Sequence, residues 1–134
     1  MRHFYRMMTV IILTCMLCGC SKENPPDKIA DADFTIITGS DIPEELQSLI
    51  NERKKNPFSL TFTDQSYLYV VRGYGKQSCG GYKITVNDFC KREDGLYFDT
   101  ELFGPKSDNP DERSSYPYIV IKTEYVDLPV SFSK

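Results

Sequence analysis

The sequence predicts a mainly β domain, an antiparallel sheet or small sandwich with one N-terminal α-helix packed on it. Three patterns carry that expectation. Apolar and polar residues alternate in two separate runs, two further runs are apolar on both parities, and a helical period occurs in a single place.

The first element is a short edge strand expected over 34–37. The helix signal follows. Asp41-Ile42-Pro43-Glu44 resembles a capping box, with Asp41 placed to accept the orphan amides of the first turn, Pro43 tolerated there and Glu44 placed to reach back. Ile42, Leu46, Leu49 and Ile50 then share one face, which predicts a helix over 43–55 lying on a sheet. Asn56-Pro57 ends it, because the residue before a proline is pushed out of the helical region. Arg53-Lys54-Lys55 reads as the cationic end of that helix, favourable against its carbonyl terminus.

Phe58, Leu60 and Phe62 alternate with Ser59, Thr61 and Thr63, and Leu96, Phe98 and Leu102 alternate with Tyr97, Asp99 and Glu101. Both runs predict strands with one wet face. Residues 67–71 and 118–121 are apolar on both parities, as expected of central strands covered on both sides. Glu93-Asp94-Gly95 predicts a hairpin turn, and 128–132 a closing edge strand. No internal repeat is present.

The chain's start decides its address. Arg2 and Arg6 precede an apolar run from Met7 to Leu17 that is too short to span a bilayer, and Leu17-Cys18-Gly19-Cys20 closes it. This resembles the lipobox of a bacterial lipoprotein signal peptide. The resemblance implies that residues 1–19 are removed and that Cys20 carries the lipid, which places the protein at the cell membrane on its extracytoplasmic face. Residues 20–33, polar and carrying Pro25-Pro26, then form a flexible tether, and 34–134 form one domain.

Removal of residues 1–19 takes two of the 16 basic residues and none of the 19 acidic ones, leaving a net charge of about −5. An acidic chain without a basic face lacks the counterion-release drive for nucleic acid. The single histidine, His3, leaves with the signal. Ser-His-Asp and Cys-His catalysis and the commonest zinc ligand go with it, so an enzyme is not expected, and neither is a cofactor or a metal. Asp108, Asn109, Asp111 and Glu112 are crowded in one loop, but Pro110 interrupts them and the spacing is not that of an EF-hand, so a solvated loop is expected. Cys79 and Cys90 are the other cysteines of the mature chain, and an extended strand over 82–89 would hold them roughly 30 Å apart, beyond disulfide reach. Free thiols are therefore expected.

One stretch is unlike ordinary strand and turn: 73–82 joins two strands through four glycines and ends in Gly80-Gly81-Tyr82. Downstream come Glu93-Asp94-Gly95, Gly104-Pro105 and Tyr116-Pro117-Tyr118. With this succession the chain, over about 58–132, resembles the C-terminal domain of the protease complex subunit PrcB family. It departs from that pattern at Ser78-Cys79, where the family carries a Pro-Thr or similar pair. The resemblance implies a partner-binding role for Gly80, Gly81, Tyr82, Tyr116, Pro117 and Tyr118, and an exported protease or other surface protein as the partner. Glycines there allow close backbone approach, and a tyrosine offers ring packing with a polar end. The alternative is a small-ligand or cell-wall-binding lipoprotein whose sheet presents Tyr67, Tyr69, Tyr74, Tyr82, Tyr97, Tyr116, Tyr118 and Tyr125 as a stacking platform.

Overall fold

The computed structural model describes residues 27–106 and 112–134, so the lipobox, Cys20 and the centre of the acidic loop lie outside the described residues. The chain forms β1 (Lys28–Asp31), β2 (Thr35–Ile37), a 3-10 turn (Gly39–Asp41), α1 (Glu44–Arg53), β3 (Pro57–Asp64), β4 (Tyr67–Tyr74), β5 (Lys83–Arg92), β6 (Gly95–Phe103), β7 (Tyr118–Glu124) and β8 (Val130–Phe132). These make two four-stranded sheets, in the orders β1-β5-β6-β8 and β2-β7-β4-β3. The expected mainly β domain with one α-helix is what forms.

Two apolar layers explain the doubly apolar strands. Leu68 and Val70 of β4 and Ile119 and Ile121 of β7 face Phe89, Leu96 and Phe98 of the other sheet, and this cluster is the interior of the sandwich. Tyr69 and Val71 of β4 and Val120 of β7 point the opposite way, onto Ile42, Leu46 and Ile50. Successive strand residues alternate faces, so a strand sandwiched between a sheet and a helix must be apolar at every position. β4 and β7 are indeed the central strands of their sheet.

The helix is shorter than its periodicity suggested, and the capping box does not form. Ile42 N–H donates to the Gly39 carbonyl at 3.1 Å, closing the 3-10 turn around Asp41, and Gln47 N–H donates to Pro43 at 2.9 Å as the first helical bond. Pro43 is therefore the N-cap, with no side-chain cap bond. A proline ring offers no acceptor, and Asp41 stands two residues before the N-cap, inside the 3-10 turn. Glu44 and Glu45 supply negative charge to the first turn instead.

Two further differences concern the edges. Lys28–Asp31 falls within the segment expected to be tether, yet it pairs with β5, Asp31 opposite Cys90 and Lys28 opposite Arg92. Four exposed residues with a single large apolar side chain give no alternation to read; the strand exists because β5 offers it an edge. The closing strand β8 pairs in parallel with β6, an exception in an otherwise antiparallel fold. Between Val86 and Asp88 a bulge at Asn87 interrupts the ladder to β6. Cys79 and Cys90 are free thiols, as expected.

A candidate binding groove

The four-glycine loop is fastened to the segment before β7. Gln77 and Ser115 exchange backbone hydrogen bonds of 2.8 and 3.1 Å, Tyr74 N–H donates to the Pro117 carbonyl at 3.0 Å, and the Ser115 hydroxyl donates to the Cys79 carbonyl at 2.7 Å. Gln77 Nε2 also returns to the Tyr74 carbonyl at 3.1 Å. These bonds bring the Gly-Gly-Tyr and Tyr-Pro-Tyr segments together although they are far apart in sequence.

Within this arrangement the two glycines differ. Gly81 holds φ +85°, in the left-handed region, and a Cβ there would stand 3.0 Å from Pro105 Cβ. Gly80 is absent from the positive-φ positions of the described residues. Gly81 thus turns the chain tightly against Pro105, and Tyr82 leaves that turn with its ring beside Gly104, whose Cβ position is 3.7 Å from Tyr82 Cε1.

Tyr82, Pro117 and Tyr118 line one open groove of about 410 Å³, together with Ile36, Ile42 and Ile84 and the backbone around Thr38 and Gly39. Sequence reasoning did not reach Ile36, Ile42 or Ile84. Each sits in a recognisable element, but only the folded sheet edges bring them to one place. Tyr118 is oriented from the helix side, its hydroxyl accepting a 3.3 Å bond from Gln47 Nε2. Tyr116 is not part of the groove; its ring lies under Lys54 Nζ, 5.5 Å from the centroid. Gly80 and Gly81 shape the approach without lining it.

The tyrosines as a group do not share a face. Tyr69 is buried beneath α1, Tyr74 shares a 2.5 Å hydrogen bond with Thr100 between the sheets, and Tyr97 lies under Arg92 at 3.6 Å. Tyr67 lines a second groove of about 620 Å³ with Asp33, Phe34, Asp41 and Glu124, its ring 3.8 Å from Lys122 Nζ. Lys83 and Lys106, next in sequence to Tyr82 and Pro105, are exposed and form no ion pair among the described residues.

Cys90 stands elsewhere, fully buried near the end of β5 away from the groove. Burial pushes its thiol up, a hydrogen bond with Asp88 adds to that, and Arg92 opposes it. Such a thiol stays protonated near neutrality. No group of three or more His, Cys, Asp or Glu side chains positioned to hold a metal occurs among the described residues.

The match to known families falls on this part of the molecule. Residues 68–124 match the family model described as PrcB C-terminal. The matched stretch is thus similar to a PrcB-family C-terminal domain. It runs from β4 through β7 and contains the four-glycine loop, Gly80-Gly81-Tyr82 and Tyr116-Pro117-Tyr118, while α1 and the edge strands β1, β2, β3 and β8 lie outside it. No curated protein and no solved structure matches the chain. The PrcB-type stretch therefore supplies Tyr82, Ile84, Pro117 and Tyr118, and the flanking N-terminal segment supplies Ile36 and Ile42 to complete the groove.

Proposed function

We propose that the protein is a membrane-anchored extracytoplasmic protein-binding module, PrcB-like, that associates with and stabilises an exported protease or other surface protein, and that it is not an enzyme. The observation that supports this reading most is the convergence of Tyr82, Pro117 and Tyr118 on one open groove within the PrcB C-terminal stretch. Tyrosine rings at the edge of an apolar groove suit protein recognition, since they bury area at low conformational cost and keep a polar end for the rim. The lipid on Cys20 and the tether behind it would hold the module at the membrane, and the loss of the single histidine with the signal leaves the mature chain without the usual base for nucleophilic catalysis.

The test joins anchoring to capture. Wild type and Cys20→Ser are expressed in the native host, membranes are fractionated, and proteins retained on the solubilised module are identified by mass spectrometry. The wild type is expected in the membrane fraction with an exported protein bound, whose lifetime shortens when the module is deleted. Cys20→Ser is expected to be released or left unprocessed. Membrane retention of Cys20→Ser would remove the anchor, and an unchanged lifetime of every retained protein would remove the stabilising role.

A further inference from the structure

The two edge strands on one side of the sandwich both stop short. β1 pairs with β5 only over Cys90–Arg92, with Ala32 N–H adding one bond to the Phe89 carbonyl at 3.0 Å. The first part of β5 has no strand on that side among the described residues. β2 likewise pairs with β7 at Val120, Ile121 and Lys122, and leaves the sheet at Thr38 before reaching Ile119 and Tyr118. Both shortfalls lie at the end where the groove opens, because Tyr82 and Ile84 line it from one sheet and Pro117 to Val120 from the other.

An unpaired strand turns alternate N–H and C=O groups outward at a regular spacing, and this row is satisfied best by another extended chain. The bulge at Asn87 ends the regular row, which limits the usable edge to 83–86. Over that edge Ile84 and Val86 pack toward the sandwich interior, while Lys83 is exposed on the outer face. A chain laid beside β5 would turn every second side chain toward Ile84, Ile36, Tyr82 and Tyr118. Ile36 is 53% exposed, an apolar wall that nothing among the described residues covers.

We propose that this edge is a β-addition site that takes an extended segment of a partner protein, antiparallel to β5, with apolar side chains at alternate positions and an acidic residue at its C-terminal end. The direction continues that of β1, which runs antiparallel along the same edge and vacates it at Ala32. The acid follows from charge. Lys83 stands at the start of β5, where the C-terminal end of such a segment arrives, and Lys106 follows Pro105, the neighbour of Gly81; neither has a carboxylate among the described residues. The same edge of a second copy offers no such group, since over 83–86 it reads Lys-Ile-Thr-Val. The inference rests on the protein-binding reading and specifies what part of the partner is held.

The probe is a labelled, C-terminally amidated peptide Thr-Val-Thr-Ile-Thr-Val-Glu, titrated into the full mature chain in detergent. Binding is expected with slowed hydrogen exchange confined to the amides of 83–86. N-methylation of alternate peptide residues on the paired edge should weaken it about tenfold, since each removes a ladder bond. Ile36→Glu, at an exposed position, should weaken it to a similar extent by putting a charge in the apolar wall, about tenfold. Lys83→Glu should weaken it about threefold, and a peptide ending in Lys should recover that loss. Equal binding of the N-methylated peptide, protection elsewhere than 83–86, no binding at about 1 mM, or a concentration-dependent dimer that protects these amides without peptide would each overturn the proposal. Retention of an exported protein by Ile36→Glu and Lys83→Glu at wild-type level would overturn it while leaving the protein-binding module standing. Peptide binding without any retained exported protein would do the reverse.

Discussion

Replacing Gly81 by alanine separates the loop's shape from its recognition. The left-handed conformation at φ +85° costs an alanine about 1 to 2 kcal/mol relative to glycine. The added methyl also stands 3.0 Å from Pro105 Cβ, so that the proline or the turn must give by a few tenths of an ångström. A domain of this size loses about 4 to 8 °C for each kcal/mol, so Gly81→Ala is expected to lower the melting temperature by about 5 to 15 °C. Gly104→Ala is the matched control. Its methyl would meet Tyr82 at 3.7 Å, an ordinary contact, and its backbone is outside the positive-φ positions, so a change within about 0.5 kcal/mol is expected. Thermal unfolding of the two variants side by side reads the difference. Equal melting temperatures for wild type and Gly81→Ala would refute the left-handed turn and with it the way Tyr82 is delivered to the groove.

Leu46→Ala, at a fully buried helix position facing the sheet, should cost about 2 to 5 kcal/mol by denaturant titration, and a cost below 1 would mean that α1 is not seated on β4 and β7. In the folded chain, maleimide at neutral pH should modify the half-buried Cys79 well before the buried Cys90, with both reacting after unfolding. Because folding raises the Cys90 thiol above its ordinary 9.0, the folded state holds that proton longer than the unfolded one; the contribution is complete below pH about 9 and stability should decline above it, an alkaline decline that Cys90→Ala should reduce.

Much of this architecture was legible from periodicity. The runs apolar on both parities, Tyr67 to Val71 and Tyr118 to Ile121, became central strands because each has a helix or a sheet on both sides, and period alone records that condition. The position of α1 was readable from Ile42, Leu46 and Ile50, but its start was not. Pro43 and the 3-10 turn around Asp41 compete for the same residues, and which closes first depends on a backbone bond from Ile42 to Gly39 that no side-chain pattern reports. β1 was invisible for a related reason: its order comes from an edge offered by β5, not from anything in Lys28 to Asp31 themselves.

The groove lining was legible in half. Tyr82, Pro117 and Tyr118 were singled out by the family resemblance of their segments and line one groove, whereas Tyr116, adjacent in sequence, faces Lys54 at the helix end. Tyr116 and Pro117 precede β7, so strand alternation does not place them, and only the folded loop decides which members of the tripeptide reach the groove. Ile36, Ile42 and Ile84 carried no signal because each is an ordinary apolar residue of its own element; their shared role depends on where β1 and β2 end.

The pairing of β1 also sets a direction. The described chain reaches the sandwich at Lys28, opposite Arg92 at the far end of β5, while the groove opens beside Tyr82 at the near end. Ten strand residues at about 3.3 Å each put roughly 30 Å between these points. Were Cys20 to carry the proposed lipid, the short stretch between it and Lys28 would put the bilayer on the Lys28 side of the domain, away from the groove. The tether would then work as a mooring line fixed at the stern, leaving the bow turned outward to whatever the cell exports.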